Sequence, residues 1–352
     1  MSLAAIFGGW LRRLTAQPRP APEPDLLLSR REAEAARFCF LGEFGYEVVS
    51  WLPFLLHLKT ALGLRLRTAG RPGSCVFYEF SDDHIEVEAG LIGDVWGQPE
   101  AYAALGRRLG ERLVHPGRHA VNRREIAVDG CHWTTRNIHK RIEVTNYQRL
   151  DFSHLPPYSP LAGRPLAVIN NKYFVQWPDT YDAPVNFFDR AALVQLRDLL
   201  LRRGYGVIYN HFVEPTSHDR YWRLDDEGLF GELPYTHDLR TDYASAADPA
   251  ARNRLQLRLY NAAALVIAPQ GGNVYLPAVC RRPLLLLMRA GDYVDYLELG
   301  RIYETPVDVF YEPRHMLRWL DVALPAAPAP EPRSRFAAER VVVGGGARTL
   351  DA

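Results

Sequence analysis

Cysteine is scarce in this chain and never paired along it. Cys39, Cys75, Cys131 and Cys280 are the only four. None stands in C-x-x-C spacing, which leaves no zinc ribbon and no thioredoxin motif. Single cysteines this far apart, with no signal peptide ahead of them, fit a reducing cytoplasm. Net charge is missing as well: Lys+Arg 42 against Asp+Glu 41 gives +1, so no global field recruits nucleic acid. Long apolar runs are absent. The longest charge-free stretch, residues 259–280, contains Asn261, Pro269, Gln270, Gly271, Gly272, Asn273 and Pro277. It reads as strand, loop and helix in series rather than as a membrane span. Familiar catalytic signatures are missing too. Without G-x-x-x-x-G-K-[ST] there is no P-loop. Without G-x-G-x-x-G after the first strand, nicotinamide binding has no support. The lack of G-x-S-x-G argues against an α/β-hydrolase. No H-E-x-x-H and no D-x-D in a strand-end loop occurs, so neither a metal nor another cofactor is called for. Asp82-Asp83 and Asp225-Asp226 read as solvated turns.

What is present is ordinary globular composition, 352 residues with 47% hydrophobic and 24% charged, enough for one large or two medium domains. Both ends are Pro-rich: residues 17–25 read QPRPAPEPD and residues 324–332 read LPAAPAPEP. The expected organisation is a flexible segment over 1–30, an α/β domain over 31–160, a second over 161–323 and a Pro/Ala/Gly-rich tail over 324–352. Leu3, Phe7, Trp10, Leu11 and Leu14 recur at helical spacing beside Arg12 and Arg13. They read as a frayed or packed terminus, weakened by Gly8-Gly9, or as a helix lying on a membrane surface.

In the first half, residues 36–41 (ARFCFL) and 74–80 (SCVFYEF) read as strands, with weaker strands at 124–128 and 138–144. Helices are expected over 46–62, with Pro53 as a possible kink, and over 99–114. The second half alternates more plainly. Strands LAVIN (166–170), YGVIY (205–209), ALVIA (264–268), PLLLLM (283–288) and 307–310 are separated by helices at 188–203, 251–263, 274–280 and 315–323. Such alternation predicts a parallel sheet covered by helices on both faces. The break between halves is expected near 155–164, where LPPYSPLAGR holds three prolines and a glycine.

In such sheets ligands sit beyond the carboxyl ends of the strands, so four places carry the chemistry. Gly42-Glu43-Phe44-Gly45-Tyr46-Glu47 follows the first strand. Its glycines allow close backbone approach, and a carboxylate there suits general-base work on a hydroxyl. Glu43 is the first candidate; Glu47 is the second, with compensation of a helix N-terminus as its plainer reading. Asn170-Asn171-Lys172 follows LAVIN, where Asn170 can hydrogen-bond a ligand or close a turn and Lys172 can meet a phosphate. Asn210-His211 follows YGVIY, with His211 a minor candidate. Gln270-Gly271-Gly272-Asn273 lies between ALVIA and a helix, where small residues expose backbone N–H groups to an anion such as a diphosphate.

With those residues in view, residues 255–287 (LQLRLYNAAALVIAPQGGNVYLPAVCRRPLLLL) resemble the donor half of two-domain GT-B glycosyltransferases. The likeness is greatest to the inverting family that includes plant xylosyltransferases and secretory-pathway O-GlcNAc transferases. Gly271, Gly272 and Asn273 match that family's loop, and Gln270 replaces its usual histidine. LGEFGYEVVSWLPFL resembles the first loop and helix of bacterial surface-polysaccharide glycosyltransferase-like proteins. The resemblance implies two Rossmann-like α/β domains facing across a cleft. It also implies metal-independent transfer of a sugar from a nucleotide-diphosphate sugar to a hydroxyl of a glycan or lipid-linked acceptor, with Asn170, Lys172, Asn210, His211 and 270–273 on the donor side. Implied with it is a cytoplasmic protein, at the inner face of the membrane if residues 1–14 bind lipid. The competing readings are a polysaccharide pyruvyl-type transferase, which would want more clustered Arg and His, and a non-catalytic carbohydrate-binding protein.

Overall fold

The computed structural model describes residues 25–42, 44–87, 99–116, 125–134, 147–161, 163–175, 182–211, 220–221, 224–291 and 294–324. The N-terminal amphipathic stretch, the strand expected at 138–144 and the tail beyond 324 lie outside them.

The first half opens with β1 (Leu26–Leu28) and α1 (Arg30–Ala35), which starts at a capping box between Ser29 and Glu32. Four strands then form a parallel sheet: β2 (Arg37–Cys39), β3 (Arg67–Gly70), β4 (Asp83–Glu86) and β5 (Leu113–Val114), in the order β4-β3-β2-β5. Between β2 and β3 run a helical turn α2 (Phe44–Tyr46), a π-helical turn (Glu47–Trp51) and α3 (Leu52–Leu62). Pro53 explains the wide turn. It has no N–H to return to the Val49 carbonyl, and the Tyr147 hydroxyl bonds that carbonyl instead at 2.9 Å. α4 (Pro99–Leu109) leads to β5. β6 (Glu125–Val128) and β7 (Cys131–Thr134) make a hairpin with β1 along its side. Its Asp129-Gly130 turn has φ of 45° and 82°, as a two-residue hairpin turn requires.

The second half holds a six-stranded, all-parallel sheet: β8 (Leu166–Asn170), β10 (Gly206–Asn210), β12 (Thr236–Asp238), β13 (Ala263–Pro269), β14 (Leu284–Leu287) and β15 (Val307–Phe310). The order is β12-β10-β8-β13-β14-β15. β9 (Phe174–Val175) and β11 (Arg220–Tyr221) pair separately. The apolar runs of β8, β10 and β14 are buried along their length, as strands covered on both faces must be. α5 (Arg190–Arg202) and α10 (Pro313–Ala323) cover one face; α7 (Pro249–Ala262), α8 (Tyr275–Val279) and α9 (Val294–Tyr303) lie toward the first half. Asp189 and Asp248 cap α5 and α7 through backbone N–H groups three residues on. The short α6 (Arg240–Ser245) follows β12.

Taken in chain order, the six strands lie 3-2-1-4-5-6 across the sheet, and the four of the first half lie 3-2-1-4. Both orders reverse direction beside their first strand, and a ligand crevice opens at that reversal. The reversals fall after β2, at residues 40–43, and between β8 and β13, at residues 170–172 and 270–273.

Several expectations need correction. Residues 74–80 are not a strand: Ser74–Phe77 is a 3-10 turn, and the strand is Arg67–Gly70, whose Arg-Thr-Ala-Gly sequence has no apolar run to betray it. The helix expected over 99–114 stops at Leu109 because Gly110 turns left-handed at φ 64°, and Leu113–Val114 joins the sheet. The flexible segment expected over 1–30 is too long, since Leu26–Leu28 pair with Ile126–Val128. The Pro-rich stretch between the halves, a place where a division was expected, lies against α7: Asn261 Nδ2 donates to the Phe152 and Leu155 carbonyls, and Tyr158 N donates to the Arg258 carbonyl.

Candidate functional site

On the first-half side, β2 runs into buried Phe40 and Leu41 and then Gly42. A Cβ on Gly42 would come 2.9 Å from the Phe40 ring, so any larger residue there would have to push that ring aside. Arg71, just past β3, donates through Nη2 to the Leu41 carbonyl at 3.2 Å and to the Gly42 carbonyl. Glu43, the first base candidate, lies outside the described residues. Gly45 opens the way to the other half, because a Cβ there would overlap the Tyr275 ring of α8. The segment after β2 therefore touches the loop after β13 directly.

Glu47 is not at the surface of this seam. It is 1% exposed, and its Oε1 accepts from the Tyr78 hydroxyl at 2.6 Å. Burial pushes its carboxyl up to about 7, against smaller downward pulls from the Tyr78 hydrogen bond and the Arg71 charge. A carboxyl half neutral at that pH does not compensate a helix N-terminus. The surface charge expected of it is replaced by a buried, protonatable group held by Tyr78.

On the second-half side, Asn170 and Asn210 end neighbouring strands and are spent on each other. Asn210 Nδ2 donates to Asn170 Oδ1 at 2.8 Å, Tyr260 OH donates to the same oxygen at 3.2 Å, and Tyr243 OH donates to Asn210 Oδ1 at 2.9 Å. Both are buried. Asn171 brackets Phe188 through its backbone N–H and carbonyl at 3.0 Å each, tying the 182–189 loop to β8. Lys172 is buried at the same strand end.

His211 is held by a residue that the sequence hid. Its Nδ1 lies 2.6 Å from Asp226 Oδ2, which also accepts from the Tyr209 hydroxyl at 2.5 Å, while Arg240 Nη1 donates to Asp226 Oδ1 at 2.9 Å. Asp226 is 1% exposed, not a solvated turn. Burial alone would raise its carboxyl, but the bonds from His211 and Tyr209 and the Arg240 charge outweigh it and hold it down to about 2. The carboxylate fixes Nδ1 as the donor and leaves Nε2 as the ring's other face. Nothing in Asp225-Asp226 signals this, because its partners come from β10 and α6. The other pair stays nearer to expectation: Asp82 and Asp83 are partly exposed, engaged by Lys59 and by Arg37 and Arg67.

The Gln270–Asn273 loop follows β13. Gly271 has φ 142° and ψ −170°, a region open in practice to glycine alone. Gly272 begins a 3-10 turn, and a Cβ on it would meet nothing within 4 Å. Asn273 lies in that turn; its side chain is outside the described residues. The helix beyond is only Tyr275–Val279, too short for much dipole, so an anion here would depend on local donors rather than on a helix end. Gln270 is 7% exposed and accepts through Oε1 from Asn186 Nδ2 at 3.0 Å. Asn186 and Arg71 were not among the candidates read from the sequence. Only their hydrogen bonds across 84 and 29 residues reveal them.

No protein-family model matches the chain, and no curated protein matches it. Solved structures do. The E. coli ADP-heptose LPS heptosyltransferase II is 10% identical, with 82% of this chain and 98% of that one covered at a TM-score of 0.50. The fold is GT-B. The glycosyltransferase SnogD from Streptomyces nogalater (12% identity, 83% and 96% covered, TM-score 0.30) and the wall teichoic acid polymerase TagF (11%, 83% and 81%, TM-score 0.33) also align, too loosely to carry an argument. Likeness at such identity establishes the two-Rossmann GT-B fold and nothing finer. Among the described residues no helix is long and apolar enough to cross a membrane.

Proposed function

We propose that this chain is a glycosyltransferase that moves a sugar from a nucleotide-diphosphate sugar to a hydroxyl of a glycan or lipid-linked acceptor. The observation that carries the reading is the meeting of two strand-order reversals. The turn after β2 and the loop after β13 are in contact through Gly45 and Tyr275. An acceptor served from the first half and a donor held by the second would meet at that contact. The heptosyltransferase with which the chain shares its fold is named for an ADP-heptose, which supports a nucleotide-linked donor.

In this reading the division of the chain falls within 150–166. Gln270, Gly271, Gly272 and Asn273 hold the diphosphate, with Lys172 and His211 near it and Asn170 and Asn210 as the floor. The acceptor hydroxyl gives its proton to the Glu43 carboxylate, its oxygen bonds to the anomeric carbon, and the bond to the nucleoside diphosphate breaks. The leaving diphosphate takes the electron pair and is stabilised by donors of the loop, without a metal. The four free cysteines suit a cytoplasmic setting.

The test is Glu43→Gln. Glutamine keeps the shape and loses the proton acceptor, so nucleotide-sugar binding should persist while transfer to acceptor falls by two or more orders of magnitude. Full transfer by a folded Glu43→Gln protein would remove Glu43 from the mechanism.

A further inference from the structure

The orientation of one carboxamide in this site is fixed by the chain itself. Asn186 lies in the loop that precedes α5. Its Oδ1 accepts from the backbone N–H of Arg289 at 2.8 Å and of Ala290 at 3.2 Å. Its Nδ2 donates to the Ala290 carbonyl at 2.9 Å and to Gln270 Oε1 at 3.0 Å. Two backbone N–H groups can be met only by an oxygen, and a backbone carbonyl only by an N–H. The Asn186 amide therefore cannot be turned over without losing three bonds to the main chain. Facing an N–H donor, Gln270 must present its oxygen to Asn186. Its Nε2, with two donors, is then turned the other way and has no partner among the described residues. Gln270 is buried, and its own backbone is held by Gln270 N donating to the Leu287 carbonyl at 2.9 Å. Gln270 is followed along the chain by Gly271 and Gly272, and a Cβ on Gly272 would meet open space.

We propose that Asn186 is a positioning residue: it locks Gln270 so that the Gln270 amide donates to a phosphate oxygen of a nucleoside diphosphate lying over Gly271 and Gly272. This rests on the nucleotide-sugar reading above and adds to it the residue that sets the donor's hydrogen-bonding sense. A neutral amide locked this way offers donors at every pH, which an imidazole at the same place would not.

The experiment is calorimetric titration of UDP, ADP, GDP, CDP and inorganic pyrophosphate into the wild-type chain, three single variants and one double variant, with melting temperatures recorded for each. Asn186→Asp keeps the acceptor for the two backbone N–H groups but offers Gln270 an oxygen. Gln270 then turns its Nε2 inward and shows its oxygen to the phosphate. Affinity for the tightest probe should fall about tenfold or more. Gln270→Ala should lose a similar factor. Adding Asn186→Asp to Gln270→Ala should cost less than a further twofold, because the first residue acts only through the second. Gln270→Glu leaves Asn186 untouched, places a carboxylate oxygen toward the phosphate, and should bind more weakly than Gln270→Ala. Undiminished affinity in Asn186→Asp or Gln270→Glu, or additive losses in the double variant, would overturn the proposal while leaving the nucleotide reading intact. Failure of the wild-type protein to bind any of the five probes would overturn both.

Discussion

Replacing Glu47 by glutamine should stabilise the protein, and more so as pH rises. The carboxyl is 1% exposed, accepts from Tyr78, and titrates at about 7 where an ordinary glutamate stands at 4.5. The folded state thus holds the proton that the unfolded chain releases. Below about pH 4 both states are protonated and the site costs nothing. Between about 4.5 and 7 only the unfolded chain ionises, so stability is lost as pH rises; above 7 the loss levels off. At about 1.36 kcal/mol per unit, the penalty is below about 1 kcal/mol at pH 5 and about 3 kcal/mol at pH 8. Glutamine keeps an oxygen for the Tyr78 hydroxyl and never ionises, so Glu47→Gln should recover most of that difference. Urea unfolding followed by circular dichroism at pH 5 and pH 8 reads it directly. A variant no more stable than wild type at pH 8, or a gain that is the same at both pH values, would refute the reasoning and leave Glu47 ionised in its pocket.

Other outcomes follow from the same geometry. Gly45→Ala places a Cβ inside the Tyr275 ring contact, and should cost about 1–3 kcal/mol by overpacking, seen as a lower urea midpoint. Asp226→Asn removes the charge that holds His211 and Arg240. It should destabilise by about 2 kcal/mol at pH 7, since Arg240 keeps its pair with Asp238. Because the Asp226 carboxyl is held at about 2 against an ordinary 3.8, the wild-type advantage over Asp226→Asn should be full above pH 4 and shrink toward pH 2. Acid-unfolding curves of the two proteins check this.

The second half was legible because its strands declare themselves. LAVIN, ALVIA and LLLL are apolar on both faces, and only a covered parallel sheet wants such runs. Glycine at 204 and 271 sits at φ 79° and 142°, where a side chain would be strained, so the turns were found at the right places. The first half was harder for a physical reason. Its strands are two to four residues long, and β3, Arg-Thr-Ala-Gly, is recognisable only from its neighbours. The 74–77 run is more apolar than β3 but is packed as a 3-10 turn on α7. Within the site, position along a strand told where Asn170 and Asn210 would be, but not that they would bond each other. It could not tell that Asp226 would be buried or that Asn186 would reach Gln270 84 residues away. Such pairings exist only once the sheet order is set.

The central claim is that the loop after β13 holds a nucleotide-linked sugar, and titration of a panel of nucleotide-diphosphate sugars into wild type and Gly272→Val tests it most directly. A Cβ at Gly272 meets nothing within 4 Å, so the valine variant should melt like wild type while its side chain fills the space a diphosphate needs. The account predicts saturable binding of at least one nucleotide sugar by the wild type and none by the folded variant. Equal binding by both proteins, or no binding by the wild type to any member of the panel, would contradict it.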